Sequence, residues 1–79
     1  MGAYVAKYQP GMKVRIASMP ELEEFKRSWR FHNPLIDSQM EHADVVATVR
    51  DVGFYHGGDP IYQLDGVPGV WHEQVLRSA

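Results

Sequence analysis

Cysteine is absent from this 79-residue chain, and its absence removes two devices that stabilise small domains. Neither a disulfide nor a zinc site with thiolate ligands can form. A chain of this length buries only about 60–65 % of its unfolded surface, so its core is near the lower limit of self-sufficiency. Association of identical chains is a remaining device, and the 44 % share of hydrophobic residues could supply the interface. We therefore expect one domain over residues 1–79 that forms a homo-oligomer.

Positive charge is also scarce. The chain has 8 Lys and Arg residues against 10 Asp and Glu, a formal charge of −2, and no basic run. Proteins that bind the phosphate backbone need many cations to displace counterions, so this balance disfavours a nucleic-acid partner. No apolar run approaches the ~20 residues that span a bilayer, and the first residues lack the regions of a secretory signal. We expect no membrane association and a cytoplasmic location.

Signatures of catalysis and of metal binding are missing as well. No serine lies in a Gly-x-Ser-x-Gly turn, and the histidines at 32, 42, 56 and 72 lack the close spacing of metal ligands. His56 and Asp59 form the only local pair, and His72 could approach them across a sheet. Acidic residues at loop ends are more often solvated turn residues than acids or bases. We predict no catalytic residue, no metal and no cofactor, which favours a protein that is not an enzyme.

Hydrophobic periodicity predicts a strand followed by a helical excursion. Residues 12–16 alternate between apolar and charged side chains, as in a half-buried strand. Ser18 and Glu21 have the spacing of a capping box, so a helix begins there, and Pro34 ends it over residues 31–33. A second, shorter helical segment is expected over 35–43. The predicted buried sides of the two helices are Leu22, Phe25 and Trp29 in the first, and Leu35, Ile36, Met40 and Ala43 in the second.

Short strands and turns fill the rest of the chain. Asp44 is expected at a turn, and Phe54-Tyr55 could extend the following strand past a bulge at Gly53. Residues 1–10 are either a flexible arm or an edge strand. The remaining predicted elements are strands over 45–52, 61–64 and 70–72, a loop over 56–60, a turn over 65–69 that includes a type II turn at Val67–Val70, and a closing helical turn over 73–76.

Five stretches carry a resemblance to known proteins: Gly11–Ile16, Met40, Val45–Val52, Tyr62-x-Leu64-x-Gly66 and Trp71-x-Glu73-x-x-Leu76. Over residues 11–77 the chain resembles a group of small SH3-like β-barrel proteins from bacteria, phages and mobile elements, some encoded in integron gene cassettes. The resemblance implies a mainly β, α+β fold: a partly open barrel of four to five antiparallel strands, with the helical excursion between the first two main strands. Asp44 stands where the group often has glycine, and Asp tolerates the same left-handed backbone. No functional residue is implied by the resemblance.

Nine aromatic residues are many for such a small barrel. Each buries about 150–250 Å², so they cannot all lie inside, and some should line a cleft or an interface. The main hypothesis is therefore a non-catalytic interaction module that binds itself, or an unidentified protein or peptide, through an aromatic surface. The alternative is a small-molecule-binding protein or enzyme with its pocket at a homo-oligomer interface. The candidate binding residues are Trp29, Phe31, Phe54, Tyr55, His56, Asp59 and His72.

Overall fold

A computed structural model describes residues 5–55 and 58–79, and in these ranges the fold is mainly β, as predicted. The elements in chain order are β1 (Lys13–Ile16), α1 (Met19–Ser28), α2 (Asp37–Met40), β2 (Val46–Tyr55), β3 (Asp59–Leu64), β4 (Val67–His72), a 3₁₀ turn (Glu73–Val75) and β5 (Leu76–Ser78). All paired strands are antiparallel, and they form one open sheet of order β4-β3-β2-β1-β5. The two helices follow β1, so the α+β class is confirmed. No helix in the described ranges is long and apolar enough to cross a membrane.

The core lies where the alternating patterns predicted it. Val14 and Ile16 of β1 are buried, as are Tyr62 and Leu64 of β3. The helix α1 covers this core with two side chains of its predicted face, and β4 adds a fully buried tryptophan. The buried hydrophobic residues are Tyr8, Val14, Ile16, Ala17, Leu22, Phe25, Leu35, Val49, Tyr62, Leu64, Val67, Trp71, Val75 and Leu76.

Tyr8 ties the segment before β1 to the core. Its ring is buried against Tyr62, with the ring centroids 5.6 Å apart. Its backbone N–H donates to the Tyr62 hydroxyl at 3.2 Å, and its own hydroxyl donates to the Leu76 carbonyl at the same distance. Residues 5–10 form no strand, and the first four residues of the predicted arm lie outside the described ranges.

The first helix begins as predicted but ends earlier. The Ser18 backbone N–H donates to Glu21 Oε1 at 3.2 Å, which is the contact expected of a capping box. The helix stops at Ser28 rather than at 31–33, because Trp29 has an extended backbone (φ −81°, ψ 122°). Its indole N–H instead donates to the His32 carbonyl at 2.7 Å. In a continued helix that carbonyl would accept from a backbone N–H four residues further on.

The second helix is shorter than predicted, and one buried residue was assigned wrongly. It spans Asp37–Met40 rather than 35–43, and Ile36 is 56 % exposed instead of buried. Gln39 is buried in its place, at 4 % exposure. Its Oε1 accepts from the Ile36 N–H and its Nε2 donates to the Val70 carbonyl, both at 3.0 Å. Because both ends of the amide are hydrogen-bonded, the polar side chain can be buried without a large penalty.

The turn predicted over 65–69 is wrong in its extent. Only Asp65 and Gly66 turn, and β4 begins at Val67. Pro68 is tolerated in this strand because β4 lies at the edge of the sheet, where a missing N–H need not cost a ladder hydrogen bond. The strand continues through Gly69, although the φ of this residue is +101°.

Three further boundaries differ from the prediction. The strand β3 begins at Asp59, two residues before the expected start. The register shift in β2 lies between Val49 and Asp51 rather than at Gly53, which pairs with Ile61. The predicted closing helical turn is a 3₁₀ turn over Glu73–Val75, and the chain then forms β5 against β1.

Candidate functional site

Six rings meet beside the C-terminal ends of β2 and β4, and we call them the aromatic–imidazole cluster. They come from the end of α1, the segment after it, the last residue of β2 and the last residue of β4. The members are Phe25, Trp29, Phe31, His32, Tyr55 and His72. Ring contacts connect every member to at least one other, so the cluster is a continuous layer of π-systems.

Trp29 is the centre of the cluster. It stacks on Phe25 with centroids 5.0 Å apart and a 16° interplanar angle, and its centroid lies 4.8 Å from that of His72. The edge-to-face contact with Phe31 measures 5.1 Å at 79°. Because its indole N–H is bonded to the His32 carbonyl, the ring cannot turn without losing that bond. The early end of α1 therefore fixes the Trp29 side chain.

His32 joins the segment after α1 to the sheet. Its ring stacks on Tyr55 with centroids 3.7 Å apart and planes 9° from parallel. Tyr55 pairs with Asp59 across the β2–β3 ladder, which brings the Asp59 carboxylate to 3.6 Å from His32 Nε2. That distance is longer than an ordinary hydrogen bond. The buried Nε2 has no hydrogen-bond partner among the described residues.

His72 is the most deeply buried member of the cluster. Its side chain is buried between Phe25, Trp29 and His32, and Nε2 lies 2.9 Å from the Asn33 carbonyl, to which it can donate. Burial lowers the pKa of His72 below its usual value of 6.5, since the charged form would lose its solvation. The imidazole therefore serves as a hydrogen-bond donor at neutral pH rather than as a cation.

The outer side of the cluster is exposed. Phe31 is 69 % exposed and Tyr55 is 39 % exposed, while Trp29 is half-buried between them and the core. Burial of a large aromatic ring is among the strongest contributions a side chain makes to folding or binding. The Phe31 ring, which is held against Trp29 and still faces solvent, is thus available for contact with another molecule.

A small cavity of about 70 Å³ opens next to the cluster. It is lined by Trp29, Asp59, Pro60, His72, Glu73 and Gln74. Glu73 is fixed there, because its Oε2 accepts from the Tyr62 hydroxyl at 2.6 Å and from the Lys7 backbone N–H at 2.8 Å. Burial, and then the bond to Glu73, raise the pKa of Tyr62 to about 12, so this hydroxyl remains a donor.

The structure brings together five of the seven residues predicted to bind: Trp29, Phe31, Tyr55, Asp59 and His72. Phe54 does not join them, because neighbouring residues of a strand point to opposite faces and Tyr55 faces the cluster. His56 lies outside the described residues. The list of predicted binding residues did not include His32 or Glu73. The run Trp29-Arg-Phe-His32 contains a signal for the former, since three rings fall within four residues.

Among the described residues, no group of three or more His, Cys, Asp or Glu side chains could hold a metal ion. Comparisons with protein-family models, curated proteins and solved structures found no match. The function of the candidate site can therefore be inferred only from its own geometry. That geometry provides rigid rings, two carboxylates and a small cavity.

Proposed function

We propose that this chain is an interaction module that binds a protein segment through the exposed side of the aromatic–imidazole cluster. The segment belongs either to a second copy of the chain or to another protein. The observation that carries the proposal is the exposure of Phe31, 69 %, on a ring that packs against the immobilised indole of Trp29. Residues such as Trp and Tyr dominate the energy of protein interfaces when they lie in such positions.

The rigidity of the cluster favours binding. Aromatic side chains have few rotatable bonds, so they lose little conformational entropy when a partner covers them. Here the rings of Trp29, His32 and Tyr55 are already ordered by mutual contacts at 3.7–5.5 Å. A preorganised surface of this kind lowers the entropic cost that a flexible loop would incur on association.

We also propose that the fold is an SH3-like barrel. The chain would then belong to the group of bacterial, phage and mobile-element proteins that it resembles. Three features support it. The long strand β2 pairs with β1 through its first residues and with β3 through its last ones. A register shift lies between the two parts, and such irregularities let a sheet curl. The 3₁₀ turn then leads into β5, which returns to β1.

Peptide selection from a random displayed library tests the proposed function. Selected peptides are titrated calorimetrically against the wild type, Phe31→Ser and the matched control Ile36→Ser. Ile36 is also an exposed apolar residue, at 56 %, but it lies outside the cluster. We expect Phe31→Ser to weaken binding at least about tenfold, as for an interface hot spot, and Ile36→Ser to leave it unchanged. Equal effects of the two variants would refute the surface assignment.

Sedimentation equilibrium separates the two kinds of partner. If the segment belongs to a second copy, the mass of the wild type rises with concentration above 9.0 kDa, and Phe31→Ser shifts the equilibrium toward the monomer. If another protein is the partner, the wild type and the Phe31→Ser variant both remain monomers. An oligomer that Phe31→Ser leaves intact would place self-association on a different surface.

A further inference from the structure

We propose that the cavity beside Trp29 binds the cationic head of a lysine or arginine side chain of the partner segment. This inference rests on the proposed function, since it names the chemistry that the same site recognises. It adds a specific ligand group to a surface that is otherwise defined only by exposed rings.

The charge of the cavity favours a cation. Asp59 and Glu73 both line it, and no Lys or Arg lies among its described lining residues. His72, the remaining titratable lining residue, is buried, and it donates toward a backbone carbonyl rather than into the cavity. Two carboxylates without a neutralising side chain attract a positive group and repel an anion.

The Asp59 carboxylate is available to a ligand. The Asp59 side chain is 57 % exposed. The described group nearest to it that could carry a positive charge is His32, whose Nε2 lies 3.6 Å from Asp59 Oδ2, beyond hydrogen-bond range. The His32 side chain is only 10 % exposed, and its Nε2 is buried without a partner in the described part of the chain. In the tautomer protonated at Nδ1, the Nε2 atom can accept a hydrogen bond from a cationic head that binds beside Asp59.

Glu73 is held in place before any ligand binds. The Tyr62 hydroxyl and the Lys7 N–H both bond to Oε2, which fixes the carboxylate at the cavity wall. Trp29 forms another part of the wall. A cation in the cavity would thus meet an aromatic ring and two carboxylates at once.

The cavity has room for a small cationic group. Its volume of about 70 Å³ is several times the minimum of roughly 10–15 Å³ that holds one water molecule, so an ammonium or guanidinium head fits there. The exposed ring of Phe31 packs against Trp29, and that of Tyr55 packs against His32. We therefore expect the partner segment to carry a basic residue close to an apolar one.

Nuclear magnetic resonance titration with capped amino acids tests this inference. The probes are N-acetyl-lysine amide and N-acetyl-arginine amide, and N-acetyl-norleucine amide is the uncharged control. The reporter is the Trp29 indole N–H signal, identified by its loss in Trp29→Phe. We expect a saturable shift with the two cationic probes, with a dissociation constant on the order of millimolar for so small a ligand, and no saturable shift with norleucine amide.

Two variants with the same change in net charge locate the site. Asp59→Asn should weaken binding of lysine amide about fivefold, a typical value for a single partly exposed charge pair. Asp65→Asn, in the exposed turn between β3 and β4, should leave it unchanged. The inference is overturned if norleucine amide binds as well as lysine amide, if the two variants behave alike, or if no probe gives a saturable shift.

The outcomes for the two proposals can be told apart. If the cationic probes fail while the peptide titrations still depend on Phe31, the cavity assignment is wrong and the interaction surface stands. If the probes bind and Asp59→Asn weakens them, but no peptide binding depends on Phe31, the cation site stands and the proposed function is wrong.

Discussion

Replacing Gly69 with alanine is expected to destabilise the fold by about 2–5 kcal/mol, through backbone strain and a steric clash. Gly69 has φ +101°, a conformation that residues with a Cβ rarely adopt. A Cβ placed there would lie 2.7 Å from Nε2 of Gln39 and 3.0 Å from its Cδ. The missing side chain at Gly69 is therefore what allows the Gln39 side chain to lie against β4.

The magnitude follows from two separate contributions. The strained backbone costs about 1–2 kcal/mol in a residue other than glycine. The clash forces the Gln39 amide away from the Val70 carbonyl, to which it donates at 3.0 Å. Gln39 is only 4 % exposed, so its unpaired amide would cost a further 1–3 kcal/mol or so. For a domain of this size, each kcal/mol lowers the melting temperature by about 4–8 °C.

Urea unfolding of a double-mutant cycle measures both contributions. In a Gln39→Ala background the clash is gone, so Gly69→Ala should cost only the strain, and the coupling between the two changes should exceed about 1 kcal/mol. Gly66→Ala is the matched control, since Gly66 also has a positive φ, +75°, but no described atom lies within 4 Å of the position that a Cβ would take there. Additive effects in the cycle, or equal costs for Gly69→Ala and Gly66→Ala, would refute the packing described here.

Two further predictions concern the groups around the site. Tyr62→Phe should lower the free energy of unfolding by about 1–3 kcal/mol in urea titrations. The reason is that the buried Tyr8 N–H loses its acceptor and Glu73 loses a donor. A loss below about 0.5 kcal/mol, within the range of an ordinary surface substitution, would contradict this prediction. The lowered pKa of His72 means that, below pH 6.5, the unfolded state binds a proton before the folded state does. Stability should thus fall as the pH drops from 6.5 through the lower, folded-state pKa, and His72→Gln should reduce that slope more than His42→Gln; equal slopes would show that His72 does not carry the effect.

Local patterns predicted the central strands, whereas long-range pairing decided the edges. Val14, Ile16, Tyr62 and Leu64 alternate with polar neighbours, and each is buried as the alternation requires. The strand β5 has three residues and only one buried side chain, Leu76, so it shows no periodicity. It becomes a strand by pairing with β1, sixty or more residues earlier in the sequence, and local sequence patterns carry no information on that contact.

The types of residue in the candidate site could be expected from the sequence better than their positions could. The surplus of aromatic residues pointed to an exposed surface. Trp29 and His72 do contact each other, and Tyr55 joins them through His32. His32 was missed because its role depends on where α1 ends. A helix continued to residue 32 would keep the His32 carbonyl in its backbone ladder, whereas the actual end at Ser28 turns the next residues back over the sheet.

Backbone amide mapping of a bound peptide tests the central claim most directly. The tightest peptide from the displayed library is added to ¹⁵N-labelled protein, and the chemical-shift changes are assigned along the chain. The proposed function predicts that the largest changes fall on residues 29–33, Tyr55, 59–60 and 72–74. Largest changes in the groove between α1 and α2, which is lined by Met19, Lys26 and Met40, would contradict it and place the interaction surface on the helices.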